Sequence, residues 1–362
     1  MGFEAPERAD RLHLVLTAVL ALALWPVCHV LGLKFGVGGS GFVWLFVIGV
    51  RCLPVAALMG ALDSPERAVA MLRRRALRVA LFAVAGFCLA WMVGVIAGSL
   101  IAIDAFLLLE FFESNPGKRT ETVSALLVPG LYFVLGFSLV VLWNDVIVSV
   151  RYFATSDALL ASIDRALMFG SSVRDVSAWC ARFPRFIVVA DYVYFLMFRV
   201  MAAGVILLVL DRGLRRGLRA IGTILLAYYI AMAIFFVVPG KGPYLGDDAH
   251  FAAFSGALST VVYQKLLIEQ AGALWHHGPG AAIQGGYYIA FPSMHIVQPL
   301  IVACFLRHRP RLFTVLCTYL IALAVAIVVL DWHYLVDILG GIAVAYVALR
   351  LCGENPRRIA VA

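Results

Sequence analysis

The chain of 362 residues is 63% hydrophobic and 14% charged, with a formal net charge of +8 and a mean hydropathy of +0.97. Soluble domains are roughly half apolar and a quarter charged, so this make-up excludes a soluble globular protein and puts the bulk of the chain in a bilayer. The basic surplus sits in short loops between apolar segments, which is the positive-inside pattern and excludes a nucleic-acid surface.

A helix needs about 20 apolar residues to cross the hydrocarbon core. Such segments read at 12–32, 42–62, 127–149, 186–210, 218–238, 288–306, 312–330 and 333–351. The first is longer than a signal-peptide core and has no small-residue cleavage site behind it, so it reads as a retained anchor. The stretch from Ala76 to Phe112 is too long for one crossing and short for two, which fits a long tilted helix or a helix with a re-entrant piece. Asn144 and Asp145, near the end of their span, read as interfacial.

A polar interruption from Tyr152 to Pro184 divides the chain. Residues 1–151 form an N-terminal group of transmembrane helices without a readable motif, and residues 152–362 carry every motif. Inside the interruption, Asp157 to Gly170 has helical apolar spacing and is expected along the membrane surface. Asp191 and Arg199 lie about two helical turns apart within one apolar segment. Intramembrane charge usually faces a polar cavity, so the two are candidates for holding a headgroup or phosphate as well as for a structural ion pair. The loop from Pro239 to Tyr287 is rich in Gly, Ala and His, and its His276-His277 pair lacks the spacing and company of a zinc site. The cysteines form no Cys-x-x-Cys pair and read as small apolar packing residues.

Arginine clusters at 212–219, 307–311 and 357–358 should be cytoplasmic, which puts Lys241, His295, His333 and Asp337 together on the extracytoplasmic face. His333 and Asp337 are four apart at the head of an apolar helix, hence on one face one turn apart. An aspartate accepting from Nδ1–H fixes the tautomer of its histidine and leaves Nε2 a free lone pair, the arrangement of a nucleophile with its orienting partner. His295 opens another helix behind Pro292, a residue suited to a first helical position, and a second histidine there can serve as general acid and then base. Ser293 and neighbouring N–H groups would face an anion, although Ser293 also suits a helix cap. Lys241 fits a phosphate contact or an interfacial lysine that snorkels. Gly340 and Gly341 fit close helix approach.

Phe291-Pro-Ser-Met-His295 followed by His333-Tyr-Leu-Val-Asp337-Ile-Leu-Gly-Gly, between membrane helices, resembles the type 2 phosphatidic acid phosphatase superfamily. More narrowly it is similar to the branch of inositol phosphorylceramide synthases and sphingomyelin synthases. The resemblance covers roughly Asp164 to Leu351. It implies an all-α polytopic membrane fold with a six-helix core, and a metal-independent, cofactor-free mechanism through a phosphohistidine. By that resemblance His333 would be the nucleophile, Asp337 its partner, His295 the acid/base and Ser293 a contact of the phosphoryl oxygens; Lys241, Arg199, Asp191 and Tyr334 are further candidates of this chain for the substrate or phosphate side. The phosphatases of this superfamily carry a lysine-to-Arg-Pro motif and an arginine ahead of the nucleophile. Here those places read Pro239-Gly-Lys-Gly-Pro243-Tyr and Val329-Leu-Asp331-Trp332, and the missing arginines resemble the synthase branch.

The expectation is therefore an integral membrane lipid phosphotransferase of the cell membrane with its site on the extracytoplasmic face. Its donor would be a phospholipid or polyprenyl phosphate, and its acceptor a lipid hydroxyl such as ceramide or diacylglycerol, or a soluble polyol. Hydrolysis of a lipid phosphate by the same residues is the nearest alternative, and a transporter or non-catalytic lipid-binding protein is the alternative of another class. No nucleic-acid partner is expected, and a homo-oligomer is left open.

Overall fold

The computed structural model describes residues 8–31, 119–151, 154–246, 254, 259–277 and 290–354. The described residues are helical throughout, with no strand among them. In chain order the helices are α1 (Arg8–Leu31), α2 (Arg119–Arg151), α3 (Asp157–Leu167), α4 (Val173–Cys180), α5 (Pro184–Arg212), α6 (Leu214–Val237), α7 (Ser259–His277), α8 (Met294–Phe305), α9 (Pro310–Val329) and α10 (Leu335–Leu351). Segment 42–62 and the Ala76 to Phe112 stretch lie outside the described residues. Among the described residues, four helices are long and apolar enough to cross a membrane: Val128–Arg151 of α2, α5, α6 and α9. This is an all-α membrane protein.

One apolar core runs through the bundle, from Val140 on α2 through Leu208, Ile224 and Leu225 to Ile301 and Ala345. A second gathers Ile187, Met197, Leu323, Ile327 and Ile338 beneath the motif loops. Burying such side chains stabilises each by about 1.5–3 kcal/mol in water; within lipid, the close fit of their surfaces takes over that role. Helices α1 and α2 pack on α6, and polar contacts tie the three together: His13 Nδ1 lies 2.7 Å from the Tyr132 hydroxyl, and the Thr17 hydroxyl lies 2.7 Å from that of Tyr229.

The bundle has two chemically different ends. At one, the turns α5–α6 and α8–α9 and the end of α10 bring arginines together: Arg216 holds Glu354 through two bonds of 2.5 and 2.9 Å, and Arg309 donates to Asp211 at 2.5 Å. At the other, the loops after α6 and α9 and the start of α8 carry Lys241, His333 and His295.

Two sequence expectations are corrected. Of the segment expected to span 288–306, the described part from Ala290 is helical only from Met294, because Ala290 to Ser293 form an irregular segment packed on α10 and a residue before proline disfavours helical backbone; Pro292 therefore precedes the helix instead of opening it. The loop from Pro239 to Tyr287 contains the 19-residue helix α7. Asn144 is fully buried inside the bundle.

Candidate active site

The nucleophile candidate His333 is placed by the way α9 ends. Asp331 adopts a left-handed conformation, φ 59°, which aspartate tolerates better than most residues. Its N–H returns to the Val328 carbonyl at 3.0 Å, and those of Trp332 and His333 return to the Ile327 carbonyl at 2.9 and 3.2 Å. This is a Schellman-type cap, and it ends α9 within three residues of the start of the junction that leads into α10.

The His333 ring is 1% exposed and Asp337 is fully buried. His333 Nδ1–H donates to Asp337 Oδ2 at 3.1 Å, and the same oxygen accepts the Tyr334 N–H at 2.9 Å. On the other side of the ring, His333 Nε2 lies 3.0 Å from His295 Nδ1. The far nitrogen of His295, Nε2, is 2.9 Å from the Tyr194 hydroxyl. Tyr194, His295, His333 and Asp337 are thus one hydrogen-bonded chain linking α5, α8 and α10. His333 stands in the junction ahead of α10, where burial pushes its imidazole down to about 3, which keeps it neutral with an available lone pair at ordinary pH.

The amphipathic helix α3 supports this chain from outside. Asp157, Leu160 and Asp164 fall on one face by the helical period, and Asp164 is buried. Its two oxygens accept the N–H groups of Leu335 and Val336 at 2.7 and 2.8 Å. A carboxylate at a helix start satisfies orphan donors and the macrodipole together. Burial raises the Asp164 carboxyl, and these two N–H bonds oppose the rise. Asp157 accepts from the backbone N–H groups of Lys241 and Gly242, at 3.0 Å each, and also engages the Tyr334 hydroxyl. Gly242, at φ +105°, lies so close to the Trp332 carbonyl that a Cβ would stand 3.0 Å from it, and a Cβ on Gly240 would stand 3.1 Å from that of Phe291. Lys241 therefore sits between two glycines, each packed against one of the two histidine motifs. Burial lowers its ammonium, with Asp157 opposing.

The two motifs also grip each other directly. The Ser293 N–H donates to the Asp337 carbonyl at 3.0 Å, and a Cβ on Gly341 would lie 2.6 Å from the Ser293 carbonyl oxygen. Ser293 occupies the N-cap position of α8 but makes no capping bond, and its fully buried hydroxyl has no hydrogen-bond partner among the described residues. A buried hydroxyl without a partner at the start of a helix is suited to an anion.

Residues 158–351, more than half of the chain, match the family model described as the PAP2 superfamily. The chain belongs to the PAP2 superfamily. No curated protein and no solved structure matches it. The matched region runs from α3 to α10 and contains both histidine motifs, whereas α1 and α2 precede it. PAP2 membership brings phosphatase or phosphotransferase chemistry on lipid phosphates generally.

Within the PAP2 region the structure brings together His295, His333, Asp337, Ser293, the Lys241 loop and Tyr334. Asp191 serves elsewhere. Its two oxygens accept the N–H groups of Ser259 and Thr260 at 3.1 and 2.8 Å, which caps α7. It holds a helix start and, among the described residues, makes no ion pair with Arg199. Arg199 is partly buried on α5, and among the described residues no hydrogen bond or ion pair joins it to either histidine motif. A different guanidinium stands near the site. Arg174 of α4 donates to the Pro243 carbonyl at 2.5 Å, and its Nε lies 4.0 Å from the buried Asp331 carboxylate. Sequence reading misses Tyr194, Asp157, Asp164 and Arg174. Only Asp157 and Asp164 carry a usable signal, two acids seven apart on the inner face of a surface helix.

Proposed function

We propose that this PAP2 protein is a lipid phosphotransferase working through a phosphohistidine at His333, with His295 as acid and base. The observation that carries the reading is the buried His295–His333–Asp337 chain, with contacts of 3.0 and 3.1 Å. His333 Nε2 attacks the phosphorus of a phospholipid or polyprenyl phosphate donor. As the P–O bond breaks, the leaving oxygen takes a proton from His295. His295 then removes the proton of an acceptor hydroxyl, whose oxygen attacks phosphorus and frees His333. Asp337 steadies the charge that grows on the His333 ring. The Ser293 hydroxyl and Lys241 serve the phosphoryl oxygens, and the mechanism calls on no metal.

Transfer rather than hydrolysis, and an acceptor like that of the inositol phosphorylceramide and sphingomyelin synthases, is the finer reading. It is supported by Gly-Lys-Gly and Leu-Asp-Trp standing where the phosphatases of the superfamily carry arginines. The site is assigned to the extracytoplasmic face, because the opposite end of the bundle holds the arginine clusters.

The test is incubation of purified protein in nanodiscs with labelled phospholipids and lipid phosphates, with and without ceramide, diacylglycerol and inositol. A new lipid formed only with an acceptor, and lost in His333→Ala, supports transfer. Free phosphate released without an acceptor makes the protein a lipid phosphatase. No product from any donor refutes the enzymatic reading.

A further inference from the structure

Phosphotransfer by this route needs His295 to be an acid in one half-reaction and a base in the next, and neither histidine motif contains a group that holds one ring for both. Such a group comes from α5. Tyr194 is 6% exposed, and its hydroxyl lies 2.9 Å from His295 Nε2. Its ring is fixed from behind: it stacks on Trp332 at 5.0 Å between centroids and 7° between planes, and meets Phe195 edge-on at 4.9 Å. Trp332 is held in turn by its Nε1–H donating to the Thr260 hydroxyl at 3.3 Å, on the helix start that Asp191 caps. The hydroxyl is therefore aimed by packing.

The order of protons along the chain follows from the ends. Asp337 as a carboxylate only accepts, so the His333 proton is on Nδ1 and His333 Nε2 is an acceptor. His295 must then donate from Nδ1, which leaves Nε2 facing the tyrosine. We propose that Tyr194 is the positioning residue for the acid/base histidine, its single hydroxyl donating to Nε2 of neutral His295 and accepting Nε2–H from the imidazolium. This rests on the phosphohistidine reading.

Protons balance over the cycle. Neutral His295 takes one proton from solvent at Nε2, and the Tyr194 O–H rotates away so that its oxygen receives the new N–H. When the donor P–O bond breaks, the leaving oxygen takes the Nδ1 proton, and the ring is left neutral with Nε2–H still held by Tyr194. Nδ1 is then the free base that accepts the proton of the incoming hydroxyl. Phenylalanine at 194 keeps the stacking but can neither donate nor accept. The titratable groups around Tyr194 and His295 are Asp191, Tyr244, His333 and Asp337, and all are unchanged in that substitution.

The experiment measures kcat, KM and the pH dependence of kcat/KM for the donor in wild type, Tyr194→Phe and His333→Ala. Formation of the phosphoenzyme needs His295 protonated, so its rate falls as pH rises through the His295 pKa. Losing the acceptor for a charged donor lowers that pKa. The alkaline limb should move to lower pH by about one unit, with kcat down about tenfold or more and KM nearly unchanged. An alkaline limb that stays in place, whether or not kcat falls, overturns the proposal. Should the Phe variant fail to fold, 3-fluorotyrosine at 194 keeps every packing contact and is a weaker acceptor; a smaller shift in the same direction is expected, and none overturns the proposal. Full activity in His333→Ala would instead refute the phosphohistidine reading itself, which separates the two failures.

Discussion

His295 Nδ1 and His333 Nε2 stand 3.0 Å apart, so the lone pair assigned to attack phosphorus points at the proton assigned to the leaving group. The proposed acid and the proposed nucleophile thus occupy each other in the resting protein, and in that mechanism a phosphate reaches either one by entering between them. The Asp337 bond on the far side keeps the nucleophile ring from turning away when that contact opens.

Removing each ring should have a different signature. His333→Ala is expected to abolish turnover with expression near normal, and retained activity would show that another group attacks. His295→Ala should slow transfer by about 10²- to 10⁴-fold. The loss should shrink markedly with a donor whose leaving group is an acidic phenol, since such a group departs without a proton. Equal losses with alkyl and aryl donors would mean that His295 is not the acid.

Charge compensation in the proposed chemistry comes from side chains, so activity should survive excess EDTA. Loss of turnover that returns on adding a divalent metal would count against the mechanism.

Gly341 lets the two motifs touch. A methyl group there would stand 2.6 Å from the Ser293 carbonyl oxygen, on backbone that cannot shift without moving His295. Gly341→Ala should reduce activity at least tenfold and lower stability by about 1–3 kcal/mol. Gly130→Ala, where a Cβ meets nothing within 4 Å, is the control and should be neutral or slightly stabilising in its helix. Matching behaviour of the two variants would refute the contact.

Asp331 makes stability depend on pH. Burial pushes its carboxyl up to about 7, with Arg174 opposing, whereas an aspartate in the unfolded chain titrates near about 4. The folded protein holds this proton more tightly, so the linked stability is present below about pH 4 and is lost as pH rises to about 7. Asparagine also tolerates the left-handed backbone at 331. Asp331→Asn should therefore match wild type in stability at about pH 4 and be more stable near pH 8, by about 3–4 kcal/mol. An equal difference at both pH values would remove Asp331 from the account.

The parts legible in the sequence are those whose partners lie one helical turn away or whose motif is contiguous. The spacing of His333 and Asp337 predicts a contact that the structure contains, and the 157–170 stretch, read as helical from its apolar spacing, is a helix from Asp157 to Leu167. Tyr194 is illegible because its partner is 101 positions away and an aromatic in an apolar helix carries no sign of a polar role. Asp191 is visible as an intramembrane charge, but its partners are backbone N–H groups of α7, a helix hidden in a stretch that composition marks as a loop. The segment 288–306 misleads because hydropathy does not distinguish an apolar helix from an apolar irregular segment that packs on another helix.

The cap at the end of α9 has a further consequence. The amide protons of Trp332 and His333 both end on the Ile327 carbonyl, while the next two, on Tyr334 and Leu335, end on Asp337 and Asp164. No amide from 332 to 335 faces water, so this junction behaves as a splice between two helices rather than as a loop. Its amide hydrogens should exchange with deuterium as slowly as those of the flanking helix interiors, and the main chain at His333 opens only when the ends of α9 and α10 unravel together.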